Sequence, residues 1–324
     1  MIPRSGDAPV TCGVPAPRSR DTGAVTETTA SPTTGSRLPL RVAIAEAERT
    51  LAAAGVASPR VDAELLAAHV LGSSRSTLLM TPLVDPPVVE RLQALVARRA
   101  TREPLQHILG TAVLGPVEVA VGPGVFTPRP ETELLLEWGL AAIRDVSRPR
   151  VLDLCTGSGA LALAFAVSRP DAEVHALEAD PSALSWTRRN LDAHVAAGGR
   201  PVTLHVADVR WTDLLIELEG AVDLVVCNPP YVPDGTPVPP EVERWDPPGA
   251  VFGGPDGTQI IQAVVRGASG WLRHGGHLAI EHDDTHGETV PALLRRRRTL
   301  GEVTEHDDLT GRPRFVTARR VPCP

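Results

Sequence analysis

The chain has 324 residues, a hydrophobic content of 42% and a formal net charge of −7. This length and this hydrophobic content are sufficient for two domains with a sizeable core. The acidic balance argues against a protein whose main task is to bind nucleic acid through its phosphates, although it leaves room for a local basic patch. We therefore expect no direct nucleic-acid partner.

Signals for a membrane span, a metal site or a disulfide framework are missing from the sequence. No apolar run reaches the ~18 residues that a membrane helix needs, and no apolar segment of a secretory signal follows Met1. The four cysteines, Cys12, Cys155, Cys227 and Cys323, form no pair with metal-ligand spacing. We expect a cytoplasmic protein with no membrane partner and no bound metal.

The first third of the chain divides into a tail and a helical segment. Residues 1–36 are rich in Pro, Gly, Ser and Thr, which predicts a disordered tail. Residues 37–107 carry three apolar stripes at helical spacing, which predict a small helical domain. Its weak positive balance does not suit a nucleic-acid surface. The domain therefore either recognises a macromolecular substrate, which is the role we assign to it, or only braces the rest of the chain.

Residues 108–130 predict a hairpin linker, because the turn pair Gly115-Pro116 lies between β-prone flanks. The linker ends in a proline-rich loop that displays Phe126 and Arg129, and such a stiff loop would suit the rim of a pocket. A helix is expected to follow from about Glu131 or Thr132, where the second domain, residues 131–324, begins.

The second domain alternates between strand and helix patterns. Apolar segments at 150–154, 173–178, 202–206 and 222–227 predict strands, with helices between them. A fifth strand at 276–281 and an edge pair at 301–305 and 314–320 complete the pattern. We expect an α/β domain with a doubly wound parallel sheet and an antiparallel edge, preceded by the small helical domain.

Four groups at predicted strand ends point to one ligand. The turn Gly157-Ser158-Gly159 allows a ligand to approach a helix N-terminus closely. Glu178 ends the second strand, where a carboxylate can accept both ribose hydroxyls. Asp153 can bind an amino group, and Asp208 with Val209 can border a flat base. The sequence has neither a third glycine of the dinucleotide type nor a P-loop lysine, so it predicts a nucleoside with a charged amino-acid end, as in S-adenosyl-L-methionine.

The fourth predicted strand ends in Asn228-Pro229-Pro230-Tyr231. Neither proline can donate a hydrogen bond to a sheet, and the first restricts Asn228 to an extended conformation. The segment is either a plain strand exit or a ligand site, since ligands bind beyond the carboxyl ends of such strands. A Pro/Gly-rich loop of about 25 residues follows, and loops of this length are often functional. We expect it to cover the site.

These motifs resemble those of class I methyltransferases that modify planar amino groups. The runs R-E-P-L-Q-H-I-L-G (102–110), P-R-P-E-T-E (128–133), G-G-P-D-G (253–257) and D-L-T-G-R-P-R-F-V (308–316) resemble those of the HemK/PrmC family in particular. The resemblance covers about residues 38–321. It implies a Rossmann-like methyltransferase fold, S-adenosyl-L-methionine as cofactor, and methylation of the glutamine in the Gly-Gly-Gln motif of class I peptide chain release factors.

The resemblance also implies roles for individual residues. Asn228, Pro229 and Tyr231 would serve catalysis, since the Asn228 side-chain oxygen and the Pro229 carbonyl would accept the two N–H groups of the substrate amide. Such an arrangement would position the acceptor nitrogen without a strong general base. The remaining predicted contacts are to the substrate through Pro230, Phe126 and Arg129, and to the cofactor through Asp153, Cys155, Thr156, Gly157, Ser158, Gly159, Glu178, Asp208, Val209 and Asn228.

Two alternatives remain open, and the second of them rests on a departure from the family pattern. Cys155 stands where the family has a glycine, and a cysteine disfavours positive φ, so we expect a slightly re-shaped cofactor loop. An amino-group methyltransferase acting on DNA or RNA is one alternative. A non-catalytic S-adenosylmethionine-binding protein is the other. We expect a monomer.

Overall fold

The computed structural model describes residues 36–211 and 213–322. Apart from Ser36, the predicted tail lies outside these residues. The helical segment comprises α1 (Leu40–Ala53), α2 (Pro59–Leu71), α3 (Pro86–Ala100) and α4 (Leu105–Leu109), with the short antiparallel strands β1 (Leu38–Pro39) and β2 (Leu83–Val84). The proline at its first position favours the start of α2, and Gly72 ends the helix in the left-handed conformation. The four helices share one apolar core.

The predicted hairpin is formed by β3 (Thr111–Leu114) and β4 (Val117–Ala120), joined at Gly115-Pro116. The inward side chains of the hairpin belong to the same apolar cluster as the helix that follows the glycine turn. The hairpin therefore packs on the sheet domain and not on the core of the helical segment.

The remaining elements follow in the expected alternation. They are α5 (Thr132–Ala142), β5 (Arg150–Leu154), α6 (Ala160–Ser168), β6 (Glu173–Glu178), α7 (Pro181–Ala196), β7 (Thr203–Val206), β8 (Val222–Cys227), α8 (Pro240–Trp245), α9 (Pro248–Val251), α10 (Gln259–Trp271), β9 (Leu272–Glu281), α11 (Thr289–Arg295), β10 (Leu300–Asp307) and β11 (Pro313–Arg320). The segment after Tyr231 is not the structureless loop that the sequence suggested, since it contains α8 and α9. Each of these two short helices begins at a proline that follows another proline, a position that suits the fixed φ of the ring.

The described part of the chain forms a seven-stranded sheet in the order β10-β11-β9-β8-β5-β6-β7. The pairings among β5 to β9 are parallel, and β11 pairs antiparallel with both β9 and β10. Side chains of β8 alternate between two apolar clusters: Leu224 and Val226 pack with α5 and α6, while Val225 and Cys227 pack with α10 and α11. Helices therefore cover both faces of the sheet, and the predicted doubly wound fold with an antiparallel edge is confirmed.

Among the described helices, none combines the length and the apolar character that a membrane span requires.

Candidate active site

The strand order reverses between β5 and β8, which are neighbours in the sheet although β6 and β7 lie between them along the chain. The carboxyl ends of these two strands carry the glycine turn and the Asn228-Pro229-Pro230-Tyr231 segment. Ligands of open α/β sheets bind at such a reversal point. A cavity of about 1070 Å³ opens there. Fourteen of the fifteen predicted site residues line this cavity, all but Gly159, which is buried beneath the loop against Thr187.

The glycine turn adopts the left-handed conformation at three positions: Cys155 has a φ of 58°, Gly157 of 57° and Gly159 of 83°. The expectation that Cys155 re-shapes the loop is wrong, because the cysteine itself takes up the positive φ. Hydrogen bonds on both sides hold the turn, from the Thr156 amide to the Leu177 carbonyl and from the Gly159 amide to the Thr156 carbonyl. The local strain of a non-glycine residue is therefore borne by the surrounding structure.

Two residues of α7, which the sequence did not single out, brace the glycine turn from behind. The Thr187 hydroxyl donates to the Gly157 carbonyl at 2.6 Å, and the Asn190 amide donates to the Ser158 carbonyl at 2.8 Å. Asn190 also exchanges two hydrogen bonds with the backbone of Ala120 in the hairpin. The hairpin is thus tied to the turn through one side chain. The sequence signal that could have indicated this contact is a threonine and an asparagine three residues apart on one face of the helix.

Glu178 lies at the carboxyl end of β6 and reaches the same turn. Its Oε2 accepts a hydrogen bond from the Gly157 amide at 2.8 Å, and its Oε1 accepts from the Ala179 and Asp180 amides. The carboxylate is therefore fixed in orientation on the wall of the cavity. Beyond β7, Asp208 and Val209 line the same wall, and Asp208 forms an ion pair with Arg210 at 2.6 Å.

Asp153 lies below the turn, with 1% of its surface exposed. Its Oδ2 accepts from the Thr156 hydroxyl at 2.5 Å and from the Ala162 amide at 3.1 Å. Burial raises the pKa of the Asp153 carboxyl to about 7, because these two hydrogen bonds offset only part of the cost of removing a charge from water. A cationic group in the adjoining cavity would be a suitable partner for this carboxyl.

The Asn228 side chain is held from behind by two residues that sequence reasoning missed. Its Nδ2 donates to the Thr132 hydroxyl oxygen at 3.0 Å. The Thr132 hydroxyl donates in turn to Glu281 Oε2 at 2.9 Å, and the Tyr231 hydroxyl donates to Glu281 Oε1 at 3.2 Å. Burial raises the pKa of Tyr231 above its ordinary value, so this hydroxyl keeps its proton. One buried carboxyl therefore connects the two polar side chains of the Asn228–Tyr231 segment.

The run G-G-P-D-G supports the backbone of the same segment. A Cβ on Gly253 would overlap the Pro230 carbonyl oxygen, and a Cβ on Gly257 would overlap the Tyr231 carbonyl oxygen. Gly257 also has a φ of 73°, which glycine adopts readily. The two glycines are therefore needed because two stretches of backbone approach each other closely.

The proline-rich loop before α5 places Phe126 and Arg129 at the cavity. The Arg129 guanidinium lies 4.7 Å from the centre of the Phe126 ring and forms an ion pair with Asp246 at 2.7 Å. Burial raises the pKa of Asp246 to about 6 despite this arginine. Arg129 is thus engaged with the end of α8, and its predicted contact to substrate would have to share the guanidinium with Asp246.

Residues of the helical segment and of α8 also line the cavity. Arg99 and Arg102 both contact Glu241 in α8, at 3.0 Å and 2.5 Å, and Arg99 also pairs with Asp62 in α2 at 2.7 Å. The side chains of Arg99 and Glu241 are 8% and 16% exposed, so this pairing is largely shielded from water. This pairing joins two parts of the chain that lie about 140 positions apart, and no local sequence pattern predicted it.

Carboxyl groups outnumber arginines on the cavity wall. In the described residues, its four arginines, Arg99, Arg102, Arg129 and Arg210, are each paired with a carboxylate. Seven carboxyl groups line the same cavity: Asp62, Asp153, Glu178, Asp180, Asp208, Glu241 and Asp283. The wall is therefore acidic overall, which favours a cationic ligand and disfavours a polyphosphate.

This donor set fits S-adenosylmethionine, since it combines a fixed carboxylate, a buried carboxyl and a glycine turn at the start of α6 beside an acidic, partly apolar cavity. Together with the reversed strand order, these features define an S-adenosylmethionine-dependent methyltransferase of class I.

Two family models match the chain, the PrmC N-terminal domain over residues 43–110 and the methyltransferase small domain over residues 117–238. A protein of Mycolicibacterium smegmatis described as release factor glutamine methyltransferase is 53% identical over 283 residues, which cover 87% of this chain and 98% of that protein. Its counterparts in Mycobacterium tuberculosis and Streptomyces coelicolor are 49% and 46% identical, covering 87% and 86% of this chain and 91% and 97% of theirs. The chain belongs to the release factor glutamine methyltransferase family.

Proposed function

We propose that the chain transfers a methyl group to the side-chain amide nitrogen of the glutamine in the Gly-Gly-Gln loop of class I release factors. The observation that carries the proposal is the position of Asn228. Its carboxamide lies at the cavity, at the carboxyl end of β8, one strand away from the glycine turn of β5. An amide-binding group and a cofactor-binding turn thus face the same space.

The cofactor contacts in this proposal are those lining the turn side of the cavity. Glu178 would accept the ribose hydroxyls, Asp208 and Val209 would border the adenine, and Asp153 would face the amino-acid end. Cys155, Thr156, Gly157 and Ser158 would contribute backbone contacts, while Gly159 only allows the turn. When bound, S-adenosylmethionine supplies an electrophilic methyl group on a sulfonium centre.

The substrate contacts are those of the Asn228–Tyr231 segment. An amide nitrogen is a poor nucleophile, because its lone pair is delocalised into the carbonyl. The Asn228 Oδ1 and the Pro229 carbonyl would accept its two N–H groups and hold the nitrogen in one orientation. They would also stabilise the positive charge that develops there in the transition state. Tyr231, Phe126 and Pro230 would pack against the planar amide.

The chemistry needs no strong general base in this cavity. The methylated amide nitrogen becomes acidic as its charge develops, so its proton can pass to solvent. The buried carboxyl of Glu281 is linked to Asn228 through Thr132, and its two oxygens already bind the Thr132 and Tyr231 hydroxyls. It is therefore poorly placed to take a proton from a substrate.

The charge of the cavity favours a protein acceptor over a nucleic acid. A DNA or RNA methyltransferase needs free cationic groups for phosphates, whereas the four arginines of this wall are paired with carboxylates. The volume of about 1070 Å³ lies at the upper end of small-molecule sites and leaves room for a peptide loop beside the cofactor.

The proposal includes a role for the helical domain, residues 37–107. Its residues Ser58, Arg99 and Gln106 line the same cavity as the Asn228 segment. A domain that only braced the sheet would not need to contribute to this wall. We therefore assign substrate recognition to it, with residues 108–130 as linker and 131–324 as the catalytic domain. The protein would act as a monomer in the cytoplasm, where release factors work.

Transfer of a labelled methyl group tests the proposal against both alternatives. The purified protein is incubated with labelled S-adenosylmethionine and, in parallel, a class I release factor, a duplex DNA and a structured RNA. Label on the release factor alone is expected. Label on either nucleic acid but not on the release factor would contradict the choice of acceptor. Binding of the cofactor in calorimetry without transfer to any acceptor would favour the non-catalytic alternative.

A further inference from the structure

The carboxamide of Asn228 can bind in two orientations that differ by exchange of its oxygen and nitrogen. Only one of them presents the oxygen to the cavity, where it can accept a hydrogen bond from a substrate N–H. The other presents an NH₂ group to the substrate NH₂ and brings two donors together. The proposed reaction therefore requires that something selects the orientation of this side chain.

We propose that Thr132 and Glu281 are positioning residues that select this orientation. The inference rests on the proposed function, because it assigns how the amide acceptor at Asn228 is held. Asn228 Nδ2, Thr132 Oγ1 and Glu281 Oε2 form a chain of hydrogen bonds of 3.0 Å and 2.9 Å. This series of hydrogen bonds runs from the cavity into the protein interior.

The direction of each hydrogen bond follows from the chemistry of its atoms. Oε2 of an ionised carboxyl is only an acceptor, so the Thr132 hydroxyl must donate its single proton to Glu281. The Thr132 oxygen then offers only lone pairs to Asn228. The nitrogen of a carboxamide is its only donor, so Nδ2 must face Thr132 and Oδ1 must face the opposite way, towards the cavity.

These two hydrogen bonds are shielded from water, and this shielding allows them to select one orientation of the Asn228 carboxamide. Thr132 is 4% exposed and Glu281 1% exposed. Neither residue can exchange its partner for a water molecule without opening the structure, and an unmade hydrogen bond in such surroundings is costly. Reversing the carboxamide would place Oδ1 against the Thr132 oxygen, where no proton lies between the two acceptors.

The direction is the same for an ionised Glu281 and for a carboxyl that carries its proton on Oε1. Burial raises the pKa of Glu281, while Arg314 on β11 and the hydroxyls of Thr132 and Tyr231 oppose the shift. A proton, when present, can reside on Oε1, the oxygen that faces the Tyr231 hydroxyl. Oε2 remains an acceptor for Thr132 in that state too.

The two positioning residues come from separate parts of the chain. Thr132 is the first residue of α5, and Glu281 is the last residue of β9. They lie 149 positions apart and meet behind Asn228. This convergence accounts for a hydroxyl residue at the fifth position of the run P-R-P-E-T-E, where helix formation alone would accept many side chains.

Kinetics of Thr132→Val, Thr132→Ser and Glu281→Gln test the inference. Valine removes the hydroxyl at nearly constant volume, serine keeps it, and glutamine offers Thr132 a competing donor. Thr317→Val is the matched control, because Thr317 on β11 is as deeply buried as Thr132, is hydrogen-bonded to His306 at 2.9 Å and lies outside the cavity wall. Each variant is measured for methylation of a class I release factor and for cofactor affinity by calorimetry.

We expect Thr132→Val to lower kcat about a hundredfold, as for a misplaced reacting group, with KM for the release factor and Kd for the cofactor changed less than about threefold. Thr132→Ser should recover kcat to within about fivefold of the unmodified protein, and Thr317→Val should retain it. Thr132→Val with the kcat of Thr317→Val would overturn the inference and leave the proposed function standing. An inactive unmodified protein would instead count against the proposed function. If Thr132→Val does not fold, Glu281→Gln provides the test instead. A kcat at least about tenfold lower would support the inference, and an unchanged kcat would overturn it.

Discussion

The carbonyl oxygen of Pro230 lies so close to the Cα of Gly253 that no side chain fits between them. Since Pro230 belongs to the segment that is proposed to hold the substrate amide, the G-G-P-D-G run acts as a rigid backing for it. This contact explains why a glycine is required at a position whose own φ is not left-handed.

Gly253→Ala is therefore expected to lower the free energy of unfolding by about 1–3 kcal/mol, the usual cost of overpacking, and to displace the Pro230 carbonyl. Methylation should fall more than cofactor affinity. Gly270→Ala is the control, because an added Cβ there meets nothing within 4 Å and alanine favours a helix. Urea denaturation of both variants provides the measurement, and equal stability of the two would contradict the prediction.

Asp153 predicts a pH-dependent cofactor affinity. Its pKa of about 7 in the ligand-free protein means that the carboxyl is neutral below this pH. If it faces the amino-acid end of the cofactor, it must lose a proton before it can pair with the ammonium group. The affinity should then be constant above pH 7 and should fall by up to about tenfold for each pH unit below it.

Calorimetric titrations between about pH 5.5 and about pH 8.5 check this prediction, with Asp153→Asn as the control. The asparagine variant should bind more weakly at high pH and should lack the component that titrates near pH 7. A parallel pH dependence in both proteins would show that Asp153 does not carry the effect.

Cys155 predicts an unusual order of stabilities. Its φ of 58° is strained for any residue with a Cβ and worst for a β-branched one. Cys155→Gly should be as stable as the unmodified protein or more stable, and should bind the cofactor equally well. Cys155→Val should lose about 1–3 kcal/mol of unfolding free energy. Chemical denaturation ranks the three proteins, and a valine variant as stable as the glycine variant would disprove the strain.

Substitution of Glu241 is expected to impair binding of the protein substrate and not binding of the cofactor. Glu241 is the shared partner of Arg99 and Arg102. Its loss removes a carboxylate from both guanidinium groups in surroundings that are largely shielded from water. Glu241→Gln should raise KM for the release factor about tenfold, because α8 loses its hold on the helical domain, while cofactor affinity stays unchanged. Glu243→Gln, on the exposed side of α8, is the control. A fall in cofactor affinity that accompanied the rise in KM would argue against a wall that serves the protein substrate only.

The parts of the fold that depend on local pattern could be predicted from the sequence. The strands, the glycine turn and the end of β8 at Asn228 follow from apolar runs and from the conformational limits of glycine and proline. These limits act within a few residues, so they can be recognised along the chain.

The parts that depend on distant pairing could not be predicted. Thr132 and Glu281 are 149 positions apart, and Glu241 finds Arg99 at a separation of 142. A carboxylate, a threonine or an arginine has many possible partners, and only the folded chain selects one. Cys155 shows the reverse case, in which a local preference was recognised but the surrounding hydrogen bonds overrode it.

The central claim is that Asn228 holds a glutamine side chain of a release factor for methylation. Mass spectrometry of a class I release factor, treated with this protein and S-adenosylmethionine and then digested, tests it most directly. One added methyl group on the glutamine of the Gly-Gly-Gln peptide is predicted with the unmodified protein and none with Asn228→Ala, although calorimetry should find the cofactor still bound by the variant. An unmethylated glutamine with the unmodified protein, or full methylation by Asn228→Ala, would contradict the account.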